Sequence, residues 1–221
     1  DTYSYNGKTW TYDGTATNVS FVGTSFQPDL VWVKARGVAT SNNIFDSIRG
    51  NKRIVTNSTN AEVDLNPYAP YGLTSFNSTG FTIGDNYNGD YGLNGDPSGT
   101  YGSSQGYVTW MWKAGGTAVS NTDGSIPSQV SANPDAGFSI VSYTGLGSDQ
   151  SFGHGLSAAP EMVIVKRRNN TSEWNVHFKT LGNDKYLNLN TTAVLNNSTI
   201  RIRSTTNSVV NIGASSNVNS N

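Results

Sequence analysis

The sequence predicts an all-β protein, an antiparallel β-sandwich made of two related units in tandem. Three observations carry that expectation. Phe26-Gln27-Pro28-Asp29-Leu30-Val31-Trp32-Val33-Lys34 returns 132 residues later as Ala158-Ala159-Pro160-Glu161-Met162-Val163-Ile164-Val165-Lys166. Almost no segment has the 3.6-residue apolar period of a helix. Short β-branched and aromatic runs recur at regular spacing, separated by Gly, Asn, Asp and Ser turns, as in a sandwich.

Each element follows from the same reading. In both copies of the repeated stretch a proline and an acidic residue precede four apolar residues and a lysine, too short and too β-branched for a helix. Each copy is therefore read as the central, buried strand of its own sheet. The echo continues outward: Tyr12-Asp13-Gly14 answers Tyr143-Thr144-Gly145, Gly23 answers Gly155, Gly50-Asn51 answers Gly182-Asn183, and Phe81-Thr82-Ile83-Gly84 answers Val210-Asn211-Ile212-Gly213. The alternating runs Thr2 to Tyr5 and Lys8 to Tyr12 flank Asn6-Gly7, a strong hairpin signal. Short strands are expected at Ile44 to Ile48 and Arg53 to Val55, and a further pair at Leu73 to Phe76 and Phe81 to Ile83. Tyr107 to Ala114 reads as the strand that closes the first unit, with Tyr107, Thr109 and Met111 on one face.

The expected organisation is a first unit over 1–115, a linker over 116–136 rich in Gly, Ser, Asn and Pro, and a second unit over 137–221. No counterpart of Tyr107 to Ala114 follows Ile212-Gly213, so the second unit is expected to lack its closing strand. An open sheet edge invites a strand from another chain. Thr2, Tyr3, Ser4 and Tyr5 are the candidate assembly strand.

Composition narrows the function classes. Charged residues make up 13% of the chain, about half the usual share, so solubility rests on neutral polar groups. The net charge is −1, with no basic patch of the kind a nucleic-acid binder displays. Lys166-Arg167-Arg168 reads as a strand end entering a turn. The chain has no cysteine, which excludes disulfides and thiol chemistry, and no run of about 18 apolar residues, so membrane insertion is not expected.

Three motifs together resemble a known family: Phe26 to Lys34, Tyr107 to Gly116, and the run from Asn121-Thr122-Asp123-Gly124-Ser125-Ile126 to Phe138-Ser139-Ile140-Val141-Ser142-Tyr143. They are similar to an uncharacterised tandem β-repeat family of marine and cyanobacterial bacteriophage structural proteins. The resemblance implies jelly-roll or concanavalin-like sandwiches and a fibre-like or virion-surface setting. The chain departs from it at Met111, where the family often carries cysteine, and in the absent aromatic strand at the end of the second repeat.

Candidate sites are few. His154 sits in Gly153-His154-Gly155, opposite Val22 in the repeat, and no nucleophile motif accompanies it. No pair of carboxylates is placed by a motif for glycoside hydrolysis, so the chain reads as non-enzymatic. The stretch from Gly84 to Gly106 is the longest without a strand pattern, and such loops are often functional. Tyr87, Tyr91 and Tyr101 offer rings to stack on sugars, and Asn86, Asn88 and Asp90 offer hydrogen bonds to hydroxyls. No cofactor is expected. Calcium on Asp85 to Asp90 is the one open alternative, and the EF-hand pattern fails there.

The function these readings suggest is a non-enzymatic virion structural protein, a tail-fibre or surface-appendage module at the virion surface or outside the cell. Its partners would be copies of itself or other virion proteins, with host surface polysaccharide as a further contact. A self-assembling extracellular filament subunit completed by a donor strand, and a polysaccharide depolymerase on the same scaffold, stay open as alternatives.

Overall fold

A computed structural model of the chain describes residues 2–5, 8–12, 19–36, 39–68, 70–84, 93 and 107–220. Among these, regular structure is β-strand in antiparallel sheets, with two short 3-10 turns and no α-helix. The chain divides into two compact units, Asp1–Val55 with Glu62–Lys113, and Thr56–Ala61 with Ala114–Asn221.

The first unit contains, in chain order, β1 (Thr2–Tyr5), β2 (Lys8–Tyr12), β3 (Val19–Val22), β4 (Leu30–Ala35), β5 (Asn43–Asp46), β6 (Gly50–Val55), β7 (Val63–Asp64), β8 (Leu73–Asn77), β9 (Gly80–Ile83) and β10 (Tyr107–Trp112). They form two five-stranded sheets, ordered β1-β2-β3-β9-β8 and β10-β4-β5-β6-β7. Alternation decides which side chains face the core: Val31, Val33 and Ala35 are buried while Leu30, Trp32 and Lys34 are half-buried on the other face. Phe21, Phe81, Ile83 and Leu73 from one sheet meet Val31, Val33 and Phe45 from the other, and Phe21 stacks on Phe81 at 5.4 Å. Tyr107 and Met111 of β10 pack on this cluster, as their alternation predicts.

The second unit contains β11 (Val119–Asn121), β12 (Ser128–Asn133), β13 (Phe138–Tyr143), β14 (Gln150–Gly153), β15 (Met162–Lys166), β16 (Trp174–Phe178), β17 (Lys185–Asn188), β18 (Asn196–Asn197), β19 (Ile202–Thr205) and β20 (Val209–Ile212). Its sheets run β11-β12-β13, β14-β20-β19 and β15-β16-β17-β18. Phe152, Ile202, Val210 and Ile212 form its core with Ile126 and Val165, and Tyr143 stacks on Phe152 at 4.2 Å. Ser58 and Thr59 belong here too, because their carbonyls accept bonds from Trp174 Nε1 (3.2 Å), Ser172 N (2.9 Å) and Lys166 Nζ (3.2 Å).

Strand pairing reproduces the repeat. Leu30 pairs with Asp46 and Val33 with Asn43, and Met162 pairs with Phe178 and Val165 with Asn175, each 132 positions on. Pairing also corrects two equivalences drawn from residue likeness. His154 donates its backbone N–H to Ser208 O (3.2 Å) as Gly23 does to Thr79 O (3.0 Å), so His154 stands where Gly23 stands, not Val22. Ile44 pairs with Ile54 but Val176 with Leu187, one residue later than the repeat demands. Gly50-Asn51 therefore corresponds to Asn183-Asp184, not Gly182-Asn183, and the turn ahead of β17 holds an inserted residue.

Two expectations about organisation also change. The stretch read as a linker, 116–136, holds the whole of β11 and β12. Its buried polar residues look like linker chemistry, yet they are satisfied by bonds. Ser128 Oγ donates to Gly153 O (3.0 Å), and Ser131 Oγ donates to Gly116 O (2.8 Å) while accepting from Gly115 N (3.0 Å). Gly124 is there for closeness, since a Cβ would lie 2.3 Å from Ser151 O where the chain runs beside β14. The second change concerns β15, which is the outermost strand of its sheet, whereas β4 lies inside its own.

Candidate functional site

The repeat lets one unit serve as the reference for the other. In the first, β10 pairs antiparallel with β4 over its whole length, Tyr107 with Ala35 through Trp112 with Leu30. The ladder continues past the strand, where Asp29 N donates to Trp112 O at 2.8 Å, and Asp29 is buried. Trp110 sits across from Trp32 with ring centroids 5.7 Å apart. Among the described residues nothing pairs with β15 on the corresponding side.

Exposure follows from that difference. By the shared register Met162 takes the place of Leu30 and Ile164 that of Trp32. Met162 is 50% exposed and Ile164 40% exposed, while Val165, on the core face, is buried. Glu161, in the place of buried Asp29, is exposed and pairs with Lys179 at 2.8 Å. An outer strand carrying apolar residues on its outer face is an edge that another strand can extend. Lys166 closes it at the far end: its Nζ donates to Arg167 O (2.8 Å) and Thr59 O, and loss of hydration lowers its amine to about 8, with Arg167 adding repulsion and Glu173 opposing it.

β10 is the outermost strand of the other long sheet, and its Trp110 is 45% exposed. β10 and β15 are thus both outer strands, of six and five residues. In the first unit one of them already sits on the other's counterpart.

The candidate assembly strand lies in a hairpin. Thr2, Tyr3, Ser4 and Tyr5 form β1 and pair residue by residue with β2, Thr2 with Thr11 through Tyr5 with Lys8. Lending β1 to another chain would first require that hairpin to open. The glycan-contact candidates Tyr87, Tyr91, Tyr101, Asn86, Asn88 and Asp90 lie outside the described residues, as does the Asp85 to Asp90 calcium alternative. Within that long stretch Leu93 is described, buried in the first unit's core.

Both histidines are built into the scaffold. His154 is buried, its Nε2 3.1 Å from Thr206 O while Nδ1 accepts the Leu156 N–H at 3.1 Å. His177 is buried at the position of Phe45, with Nδ1 2.8 Å from Lys185 O. Among the described residues no group of three or more His, Asp or Glu is arranged to hold a metal ion. No helix among them is long and apolar enough to cross a membrane.

The family described as Domain of unknown function (DUF7483) matches residues 3–221. The chain belongs to that family. Searches of curated proteins and of solved structures return no match to this DUF7483 chain.

Proposed function

We propose that this protein is a non-enzymatic structural module that assembles with copies of itself by sheet extension, as part of a virion-surface or other extracellular appendage. The observation that carries the reading is β15, an outer strand with Met162 and Ile164 exposed where the equivalent strand of the first unit is covered by β10. The occupant is β10 of a second copy. A β10-type strand, antiparallel and aromatic on alternate positions, is what the repeat itself places on this scaffold. Covering the two half-exposed side chains is worth on the order of 2–3 kcal/mol, besides the backbone bonds gained. Pairing β10 of one copy with β15 of the next is head-to-tail, and it leaves a free β15 and a free β10 at the ends of every assembly. The virion-surface setting is supported by the resemblance of the Phe26 to Lys34 and Tyr107 to Gly116 motifs to phage structural repeats.

The test is mass as a function of concentration for the full chain, Ile164→Lys, Trp110→Lys, and an equimolar mixture of the two variants. The full chain is expected to grow into long oligomers and each variant to stay monomeric. The mixture should stop at dimers, because only one intact edge of each kind remains. A full chain that stays monomeric at high concentration sinks the assembly role. Trp110→Lys that polymerises normally shows that β10 is not the occupant.

A further inference from the structure

The second unit carries a cleft of about 480 Å³ on the face of the β14-β20-β19 sheet turned away from its core. Across its floor Ser151 pairs with Asn211 and Asn211 with Ser204, three polar side chains in one row over three strands. The first unit has the same row as Ser20, Thr82 and Ser75. There Ser20 Oγ lies 3.1 Å from Thr82 Oγ1, Asn77 Nδ2 donates to Thr82 Oγ1, and Ser75 Oγ donates to Asn77 Oδ1; in the cleft Asn211 Nδ2 donates to Ser204 Oγ and Ser151 Oγ accepts from Ser125 N, each at 3.0 Å.

What differs is charge. Both sheets have a β-bulge next to the row, between Leu73 and Ser75 and between Ile202 and Ser204. Bulges re-aim side chains. The bulged residue is Thr74 in the first unit and Arg203 in the second. Arg203 is bracketed by Asp149 (2.5 Å) and Asp184 (3.5 Å) at the cleft. Asp184 stands where the first unit has Asn51, and at φ +61° it is the one non-glycine with positive φ among the described residues. Such backbone is costly and collects at functional sites. The shared scaffold requires neither Arg203 nor Asp184, since the first unit is built with Thr74 at the bulge and Asn51 in the place of the aspartate.

We infer that this cleft is a binding site for a short neutral saccharide. Its volume lies within the roughly 300 to 1,000 Å³ of ligand clefts. Two carboxylates and one guanidinium give it a net charge of −1, which disfavours anions, and both carboxylates already face Arg203, so they are not arranged as a cation cage. Apart from Ile212, the rest of the lining is hydroxyls and amides from Ser125, Gln150, Asn183 and the floor row. Alternating donors and acceptors of this kind match the vicinal hydroxyls of a sugar, with the Arg203 ion pairs holding the carboxylates in place. The inference does not rest on assembly through β15, which uses a different sheet.

The experiment is saturation-transfer NMR, which reads weak binding whatever the size of the particle. The full chain would be mixed with neutral di- and trisaccharides of glucose, galactose, mannose and N-acetylglucosamine at millimolar concentration. At least one sugar should receive saturation from the protein. Arg203→Thr, which restores the first unit's bulge residue, should weaken that binding at least tenfold. Asp149→Ala, a change at a largely exposed side chain, should do the same and decides the matter if Arg203→Thr does not fold. No transfer to any sugar overturns the inference. So does binding that survives Asp149→Ala in full, or a response to inorganic phosphate or calcium chloride that the sugars do not compete away.

Discussion

In the first unit Leu30–Ala35 runs between two neighbours, β10 and β5, while in the second Met162–Lys166 has, among the described residues, β16 alone. The two strands share register and core face, so their difference lies in what covers them. In the first unit half-buried Trp32 lies against Trp110, whereas in the second Met162 and Ile164 are exposed. The same scaffold therefore flanks this strand on both sides in one place and leaves it outermost in the other. The comparison extends to polar groups, because the two units solve equivalent positions with different chemistry.

The sharpest case is the turn after β5. Asp46 takes Arg49 Nε at 2.5 Å and the backbone N–H groups of Ile48 and Arg49, and Arg49 Nη1 reaches Glu62 at 3.0 Å and Lys52 O at 2.9 Å. All three side chains are about nine-tenths buried. By strand pairing Asp46 corresponds to Phe178 and Glu62 to Leu195, so the second unit is apolar where the first is ionic. Arg49→Ala leaves two buried carboxylates without their cation and is expected to cost about 3–5 kcal/mol. The triple change Asp46→Phe, Arg49→Leu, Glu62→Leu should recover most of that loss, because apolar replacement of a buried ion network is often neutral or stabilising. Hydrogen exchange of peptides from each unit measures both. If the triple variant is no better than Arg49→Ala, the two chemistries are not interchangeable on this scaffold.

How much of this is legible in the sequence depends on the range of the physics involved. Alternation and turn chemistry are local, so β4, β15, the pairing of β1 with β2 and the Asn77 to Gly80 turn can be read from neighbours along the chain. Which strand lies beside which is not local. That is why β15 reads as central although it is outermost, and why Thr56–Ala61, next to β6 in sequence, is found with the second unit. Buried serines such as Ser128 and Ser131 look like linker residues because the bonds that satisfy them come from Gly153, Gly115 and Gly116. The cleft is hidden for the same reason. Asp149, Asp184 and Arg203 come from three separate stretches, and only the folded sheet brings them together.

A smaller effect separates Asn43 from Asn175, which are fully buried at one register position. Each donates to the carbonyl two residues before it, Asn43 to Ser41 at 3.2 Å and Asn175 to Glu173 at 3.0 Å. Asn175 Oδ1 in addition accepts from Arg201, whose guanidinium lies 4.4 Å from the centre of the Tyr186 ring. Asn175→Ala should therefore cost about 2–3 kcal/mol and Asn43→Ala about 1 kcal/mol less, since hydrogen bonds to charged donors are the stronger. Equal losses in urea unfolding would show that the Arg201 bond adds nothing.

The smallest effect is a dependence on pH that belongs to the second unit. Lys34 and Lys166 occupy the same place in the repeat, and both donate to the carbonyl of the next residue, Ala35 or Arg167. Lys166 Nζ also reaches Thr59 O, and loss of hydration lowers its amine to about 8. An amine whose folded pKa lies below its unfolded one opposes folding while it must stay protonated. Between about pH 8 and pH 10 the unfolded chain binds a proton that the folded unit has released, so stability rises with pH. Above about pH 10 the trend turns, because burial raises the Tyr143 phenol and the unfolded chain then gives up its proton first. Lys166 is only half-buried, so solvent screening reduces the gain to roughly 1 kcal/mol. Urea midpoints read from second-unit peptides by hydrogen exchange should increase from about pH 7.5 to about pH 9.5, and Lys166→Met, which keeps the apolar stem and removes the amine, should flatten the slope. A slope that survives Lys166→Met would assign the titration to another group.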